Sequence, residues 1–279
     1  MKIIYTRHSL IEEINKLREQ SLQTGFVPTM GALHKGHLQL IKSAREENDI
    51  VVCSIFVNPV QFNNASDLER YPRSPENDIA MVKSYCDILF MPCADEMYPT
   101  PPQEEYYFGL LESTMEGQYR PGHFNGVVIV IKRLFDLIQP DIAYFGRKDY
   151  QQLAIIKQLV HDYDMKITIR SIDTVREDDG LAMSSRNSLL SPQARSVAPF
   201  IWQTLHKAQL LKKEKNPREI SNWIREQFNG HESFTLEYAQ LINAETLEEV
   251  NEYKEGESIV ACVAVWLDKV RLIDNITIK

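Results

Sequence analysis

The sequence predicts an α/β protein: a Rossmann-like, doubly wound parallel sheet followed by a smaller C-terminal α+β domain. Three observations predict it. Short runs rich in Val, Ile and Phe alternate with longer amphipathic runs over the first two-thirds of the chain. That is the pattern of strands buried on both faces and of the helices that cover them. The alternation then stops at a polar connector, after which helices precede strands. Finally, 279 residues with 43% hydrophobic and 25% charged side chains suit a large core with a small second one, and exclude a disordered or collagen-like chain.

In order, the predicted strands are Phe26–Thr29, Ile50–Val57, Ile88–Pro92, Ile142–Gly146 and Lys166–Val175. Helical patterns lie between them near His37–Glu47, Pro75–Tyr85, Val127–Ile138 and Tyr150–Tyr163. Ser74-Pro75 reads as a cap with a first-turn proline, and Asp149 as a cap before Tyr150. Pro99–Gly126 reads as a long loop, a length that often carries function. The α/β domain is therefore expected over residues 1–175. Residues 176–187 form the connector, with the turn signal Asp178-Asp179-Gly180, and residues 188–279 the small domain. In the latter, Ser191-Pro192 opens a helix to about Lys213, and Asn216-Pro217 opens one to about Phe228. Phe234–Asn243 alternates as a strand, and Ser258–Leu267 and Val270–Ile278 flank Asp268-Lys269 as a terminal hairpin.

The formal net charge of −8 argues against nucleic-acid and anionic-membrane partners, which need clustered Lys and Arg. It leaves room for a small anion held by a few local cations. Cysteines 53, 86, 93 and 262 form no C-x-x-C pair, so neither a zinc ribbon nor a redox motif is predicted. Cys53 and Cys262 sit in apolar runs and read as buried reduced thiols. Met1–Leu17 mixes charges into its apolar positions, unlike a signal peptide. The longest apolar run, Ile259–Leu267, is half a membrane span. A soluble, cytoplasmic protein is expected.

The most informative segment is Pro28-Thr29-Met30-Gly31-Ala32-Leu33-His34-Lys35-Gly36-His37. A strand ends, Gly31 turns the chain, and a helix begins near Gly36. His34 and His37 are three apart and share one helix face. A helix N-terminus offers unpaired N–H groups and partial positive charge, and the imidazoles beside it can donate to phosphate oxygens as charge builds there. A second segment, Phe145-Gly146-Arg147-Lys148-Asp149-Tyr150-Gln151-Gln152, also closes a strand and opens a helix. Its residues belong at the carboxyl edge of the same sheet, where α/β proteins bind ligands. Lys148 would bring a point charge and Gln152 could face the same cleft, or else Lys148 and Asp149 are ordinary polar residues at a helix start. A third, Met183-Ser184-Ser185-Arg186, lies in the connector; two hydroxyls and a guanidinium can wrap a polyphosphate, or else form ordinary loop. Gln61, after the strand ending near Val57, could present an amide to a polar substrate, or else belongs to an ordinary post-strand turn. Tyr119-Arg120-Pro121-Gly122-His123-Phe124 reads either as a mobile basic cover or as plain loop. No Walker A loop, G-x-G-x-x-G turn, H-E-x-x-H or G-x-S-x-G is present.

Pro28–His37 is similar to the H-x-G-H signature of nucleotidyltransferases, and Met183–Arg186 resembles a shortened K-M-S-K-S loop. With Asn58-Pro59-Val60-Gln61-Phe62, Arg120-Pro121-Gly122-His123-Phe124 and Gly146-Arg147-Lys148-Asp149, the ordered set resembles the pantoate–β-alanine ligase family along the whole chain. Arg147 departs from the family pattern and adds a cation beside the nucleotide site. The resemblance implies condensation of pantoate with β-alanine, using ATP and Mg²⁺, to give pantothenate, AMP and pyrophosphate through pantoyl adenylate. It implies ATP contacts from Met30, Gly31, Ala32, Leu33, His34, Lys35, Gly36 and His37, with His37 as proton donor. It extends the nucleotide site to Gly146, Arg147, Lys148, Asp149, Val175, Met183, Ser184, Ser185 and Arg186. The catalytic group it implies is His34, His37, Lys148, Ser184, Ser185 and Arg186. Gln61 would bind pantoate and border β-alanine, and Gln152 would bind pantoate. No protein ligand of Mg²⁺ is implied. A homodimer is implied, and the second domain is expected to close over the cleft against water. Another nucleotidyltransferase, or a nucleotide-binding regulator without catalysis, would share the H-x-G-H geometry; β-alanine-dependent AMP release separates them.

Overall fold

The β–α alternation closes into one six-stranded parallel sheet in the computed structural model, which describes residues 1–279. Its strands are β1 (Lys2–Ile4), β2 (Thr24–Thr29), β3 (Ile50–Ile55), β4 (Ile88–Phe90), β5 (Ile142–Gly146) and β6 (Thr168–Ile172). They lie in the order β1-β4-β3-β2-β5-β6. The chain winds outward from β2 through β3 to β4, then crosses back to lay β5 and β6 on the other side of β2. The winding thus reverses between β2 and β5, and the crevice beyond their carboxyl ends is where such sheets bind ligands. Phe26, Val27, Val51, Val52 and Cys53 are fully buried, as central strands covered on both faces require.

Several elements differ from the sequence expectation for local reasons. β1 and the helix Arg7–Glu19 lack a sequence signal: three residues show no period, and the helix buries only Leu10 and Ile14. The strand expected through Pro92 stops at Phe90, because proline cannot donate to a ladder. Pro99–Gly126 is not one loop. It holds the short helices Leu110–Ser113 and Met115–Tyr119, and the helix expected from Val127 begins at His123 behind Gly122, whose φ of 78° only glycine adopts easily. The helix expected from Pro192 to about Lys213 is two, Pro192–Val197 and Phe200–Leu210, divided at Pro199. Ser74 makes no capping bond to the backbone; its hydroxyl donates to the Asp78 carboxylate instead.

The chain divides into two compact units, residues 1–108, 119–147 and 152–173 in one, and residues 109–118, 148–151 and 174–279 in the other. The second is built on an antiparallel sheet of β7 (Phe234–Asn243), β8 (Ile259–Leu267) and β9 (Val270–Thr277), in that order. The apolar run of β8 is buried except at Trp266. Ile220, Ile224 and Phe228 of the helix Pro217–Asn229, with Ile201 and Leu205 of Phe200–Leu210, complete that core. Asn216 and Glu219 form a reciprocal cap at the start of Pro217–Asn229. β8 and β9 are joined through Asp268, at φ 53°, the left-handed backbone that a two-residue hairpin requires. All four cysteines are free, and Cys53, Cys86 and Cys262 are buried. A hydrogen bond with Cys86, together with burial, pushes the Cys53 thiol up, and burial does the same at Cys262. No helix is long and apolar enough to cross a membrane.

Candidate active site

The turn after β2 is held in a conformation that the chain would not adopt unaided. Gly31 and Ala32 both have positive φ, 80° and 47°, and for alanine this left-handed backbone costs about 1–2 kcal/mol. Asp78, buried in the first turn of the helix Pro75–Val82, supplies the restraint: its carboxylate accepts from Ala32 N at 2.9 Å and Leu33 N at 2.7 Å. A side chain at Gly31 would meet Asp78 Oδ2 and Ile55 Cγ2, each at 3.0 Å. From Leu33 the chain enters the helix Lys35–Glu47 with His34 as its cap.

The two histidines cap each other's turn. His34 Nδ1 accepts from Gly36 N at 3.1 Å, and His37 Nδ1 accepts from His34 N at 3.3 Å. The rings lie 4.1 Å apart, tilted by 41°. An Nδ1 that accepts carries no proton, so each imidazole keeps its hydrogen on Nε2. The backbone has thereby set both rings as Nε2–H donors at a helix N-terminus, beside the switch point of the sheet. That is an arrangement for receiving phosphate oxygens.

Gln61 is fixed from every side. It is 7% exposed and ends the tight turn Pro59–Gln61, capped by Asn58. Asn58 Nδ2 donates to Gln61 Oε1 and to Gly126 O, both at 3.0 Å, while Tyr98 OH donates to Asn58 Oδ1 at 2.7 Å. His123 Nδ1 lies 2.8 Å from Gln61 O, and Arg120 Nη1 lies 3.0 Å from His123 Nε2. Arginine can only donate, so His123 accepts at Nε2 and donates from Nδ1 to the Gln61 carbonyl. Gln61 Nε2 points at Met30 Sδ, 3.1 Å away. Thioether sulfur is a weak acceptor, so an incoming carboxylate or hydroxyl oxygen is a better partner for this amide. The first unit thus brings Met30, His34, His37 and Gln61 together on the carboxyl side of β2 and β3. His123, 5% exposed and hydrogen-bonded through both ring nitrogens, is a buried support rather than a mobile cover.

Gly126 is where the helix His123–Ile138 meets that turn, and a Cβ there would lie 2.5 Å from Val60 O and 2.7 Å from Gln61 N. Backbone cannot yield as a side chain can. Gly126→Ala is expected to lower stability by about 1–3 kcal/mol through overpacking, and to weaken by about tenfold any ligand that takes a hydrogen bond from the Gln61 amide. Denaturant melts and substrate titrations check both.

The remaining sequence-predicted residues fall as follows. Gly146 ends β5, and Arg147 pairs with Asp173 at 2.9 Å. Gln152 is half-buried in the first turn of Tyr150–Asp162. In the second unit, the Lys148 side chain is 18% exposed, with Nζ 3.7 Å from Asp149 Oδ1. Val175 and Met183 face each other across a small hairpin, where Met183 N donates to Val175 O at 3.0 Å. Ser184 Oγ accepts from Arg186 N at 3.3 Å and so caps the turn Ser185–Leu189. Sequence reasoning missed Asp78, Tyr98 and Asn275, which hold Ala32–Leu33, Asn58 and Lys148 from far along the chain. Only Asp78 carried a signal, an acid four residues beyond Ser74 in a helix whose first turn already holds Glu76. No three His, Cys, Asp or Glu side chains are grouped to hold a metal ion.

A family model described as pantoate-beta-alanine ligase matches residues 2–277. Pantothenate synthetase of Bacteroides thetaiotaomicron is 43% identical over 280 residues, covering 100% of this chain and 99% of that protein. The crystal structure of pantothenate synthetase from Thermus thermophilus superposes with a TM-score of 0.93 at 39% identity, over 100% of this chain and 99% of that one. Pantoate-beta-alanine ligase from Francisella tularensis, in complex with beta-gamma ATP and beta-alanine, superposes with a TM-score of 0.84 at 36% identity, over 99% and 97% of the two chains.

Proposed function

Because the chain belongs to the pantoate–β-alanine ligase family, we propose that the Met30–His37 turn holds the triphosphate of ATP while pantoate and then β-alanine react beside it. The enzyme condenses pantoate with β-alanine, using ATP, to form pantothenate. In the first step a pantoate carboxylate oxygen attacks the α-phosphorus, the bond to the bridging oxygen breaks, and pyrophosphate leaves with the electron pair. In the second the β-alanine amine attacks the acyl carbon of pantoyl adenylate, loses a proton and expels AMP.

The observation that carries the site assignment is the pair of Nε2–H donors at one helix start. As pyrophosphate departs, negative charge grows on oxygens that these donors can meet, with His37 Nε2–H donating its hydrogen bond where the charge is greatest. One such preorganised donor is typically worth about 3–4 kcal/mol. The family resemblance assigns Lys148, Ser184, Ser185 and Arg186 to phosphates as cation, hydroxyls and fork, and Val175, Met183 and residues 146–149 to the nucleotide. Gln61 exchanges Met30 sulfur for a pantoate oxygen and borders β-alanine, while Gln152 supplies a second amide to pantoate. Mg²⁺, implied by the family resemblance, would neutralise charge on the phosphate oxygens. The family resemblance supports a homodimer and a cytoplasmic location, and sedimentation gives the mass that tests the first.

Incubating purified protein with ATP, Mg²⁺, pantoate and β-alanine, and omitting each in turn, tests the reading. Pyrophosphate is expected to require ATP and pantoate, and sustained AMP release to require β-alanine as well. AMP release indifferent to β-alanine would refute it.

A further inference from the structure

We propose that Asp274 and Asn275, adjacent on β9, are positioning residues for the nucleotide phosphates. Asn275 fixes the turn that bears Lys148, and Asp274 acts through Arg176 to fix the hairpin that delivers Met183–Arg186. The inference rests on the reading above that Lys148 and Ser184–Arg186 hold those phosphates.

The contacts all lie within the second unit. Asn275, 9% exposed, donates from Nδ2 to the Lys148 carbonyl at 2.8 Å. This bond spans 127 residues of sequence and clasps the backbone of Lys148 itself. Asp274 is 3% exposed and takes the Arg176 guanidinium in a fork, Nη1 at 2.6 Å and Nη2 at 3.0 Å. Arg176 Nη2 also reaches Asn275 O at 3.3 Å, so the two residues are bound into one cluster, and Asn275 N donates to Asp274 Oδ1 at 2.8 Å.

Arg176 in turn holds its hairpin from within. It opens the hairpin, bridged antiparallel to Ala182, and its Nη1 donates to Gly180 O at the tip, 3.1 Å away. Its guanidinium stacks on Trp202, 3.7 Å from the ring centroid. Gly180 sits on the same indole at φ 92°, where a Cβ would lie 2.0 Å from Trp202 Cδ1. The guanidinium is therefore held by fork, stack and carbonyl together, and the returning strand can leave it in one direction, through Met183 to Ser184, Ser185 and Arg186.

A buried ion pair is a poor way to gain stability, since an apolar pair of the same volume serves as well or better. What this one supplies is placement. Phosphate binding needs cations and hydroxyls set before the ligand arrives, and an error of about 1 Å in such groups can cost a hundredfold in rate.

The test is a double-mutant cycle on the dissociation constant of a non-hydrolysable ATP analogue, measured by calorimetry on the whole chain. Asn275→Ala is expected to weaken binding about tenfold in the wild-type background and by less than about twofold when Lys148 is already alanine. Asp274→Asn is run the same way against Arg186→Ala, with the same non-additivity expected. Equal factors in both backgrounds, or no change in wild type, overturn the inference. Should Asn275→Ala not fold, Asn275→Ser enters the same cycle and is judged by the same numbers. Wild-type protein is assayed alongside for pantoate-dependent pyrophosphate release: if that is missing, it is the functional reading that fails, whatever the cycle shows.

Discussion

Replacing His37 with alanine is expected to slow pantoyl-adenylate formation by about a hundredfold or more, while the lost helix cap costs only about 1 kcal/mol of folded stability. The two ring nitrogens of His37 do different work, and different substitutions separate them. Nδ1 caps the helix by accepting from His34 N; Nε2–H is the group proposed above to meet the phosphates. Asparagine retains an acceptor near the position of Nδ1 and has no group at Nε2. His37→Asn is therefore expected to melt like wild type and to be as slow as His37→Ala. Glutamine places an amide nitrogen near the position of Nε2, and His37→Gln is expected to recover part of the rate while losing the cap, which is worth about 1 kcal/mol. Pyrophosphate release in the absence of β-alanine isolates the step. A fast His37→Asn would mean that the cap matters and the outer donor does not.

The largest stability effect is expected at Arg271. Its Nη1 and Nη2 fork onto Glu116 at 2.7 and 2.8 Å, and its Nε donates to Glu237 at 2.8 Å, with Nη2 in contact with Glu237 as well. Tyr238 OH adds a bond to Glu116 at 2.7 Å, and Trp266 Nε1 one to Glu237 at 2.9 Å. The side chains of Arg271, Glu116 and Glu237 are only 14%, 10% and 13% exposed. Arg271→Met removes the cation and leaves two carboxylates in the interior with half their partners, a loss of about 3–5 kcal/mol. Because Glu116 ties residues 109–118 to β7 and β9, proteolysis should first cut that segment. The triple replacement Arg271→Met, Glu116→Leu, Glu237→Leu, which leaves no charge uncompensated, is expected to regain much of the loss. If Arg271→Met alone unfolds at the wild-type denaturant midpoint, the network contributes nothing.

Much of this was legible in the sequence because it is local. Five of the six parallel strands announce themselves by apolar runs of Val, Ile and Phe, and the strand, glycine turn and helix start around Met30–His37 are contiguous. The terminal hairpin was readable from Asp268-Lys269, and Phe234–Asn243 from its alternation. β1 escaped because three residues carry no period, and Pro199 split a helix whose apolar spacing runs on through it. The long-range supports of Asn58, Gln61 and Lys148 escaped for a different reason. Tyr98 steadies Asn58 across 40 residues, His123 steadies Gln61 across 62, and Asn275 reaches Lys148 across 127. Each is an ordinary polar residue in its own neighbourhood. Only the winding of the chain makes them neighbours of the residues they hold.

A structure of the protein with a non-hydrolysable ATP analogue and pantoate tests the central claim most directly. It should place Nε2 of His34 and of His37 within hydrogen-bond reach of phosphate oxygens, with Gln61 Nε2 turned from Met30 Sδ to a pantoate oxygen. Imidazoles facing away from the triphosphate, or a nucleotide seated elsewhere than the turn after β2, would contradict it.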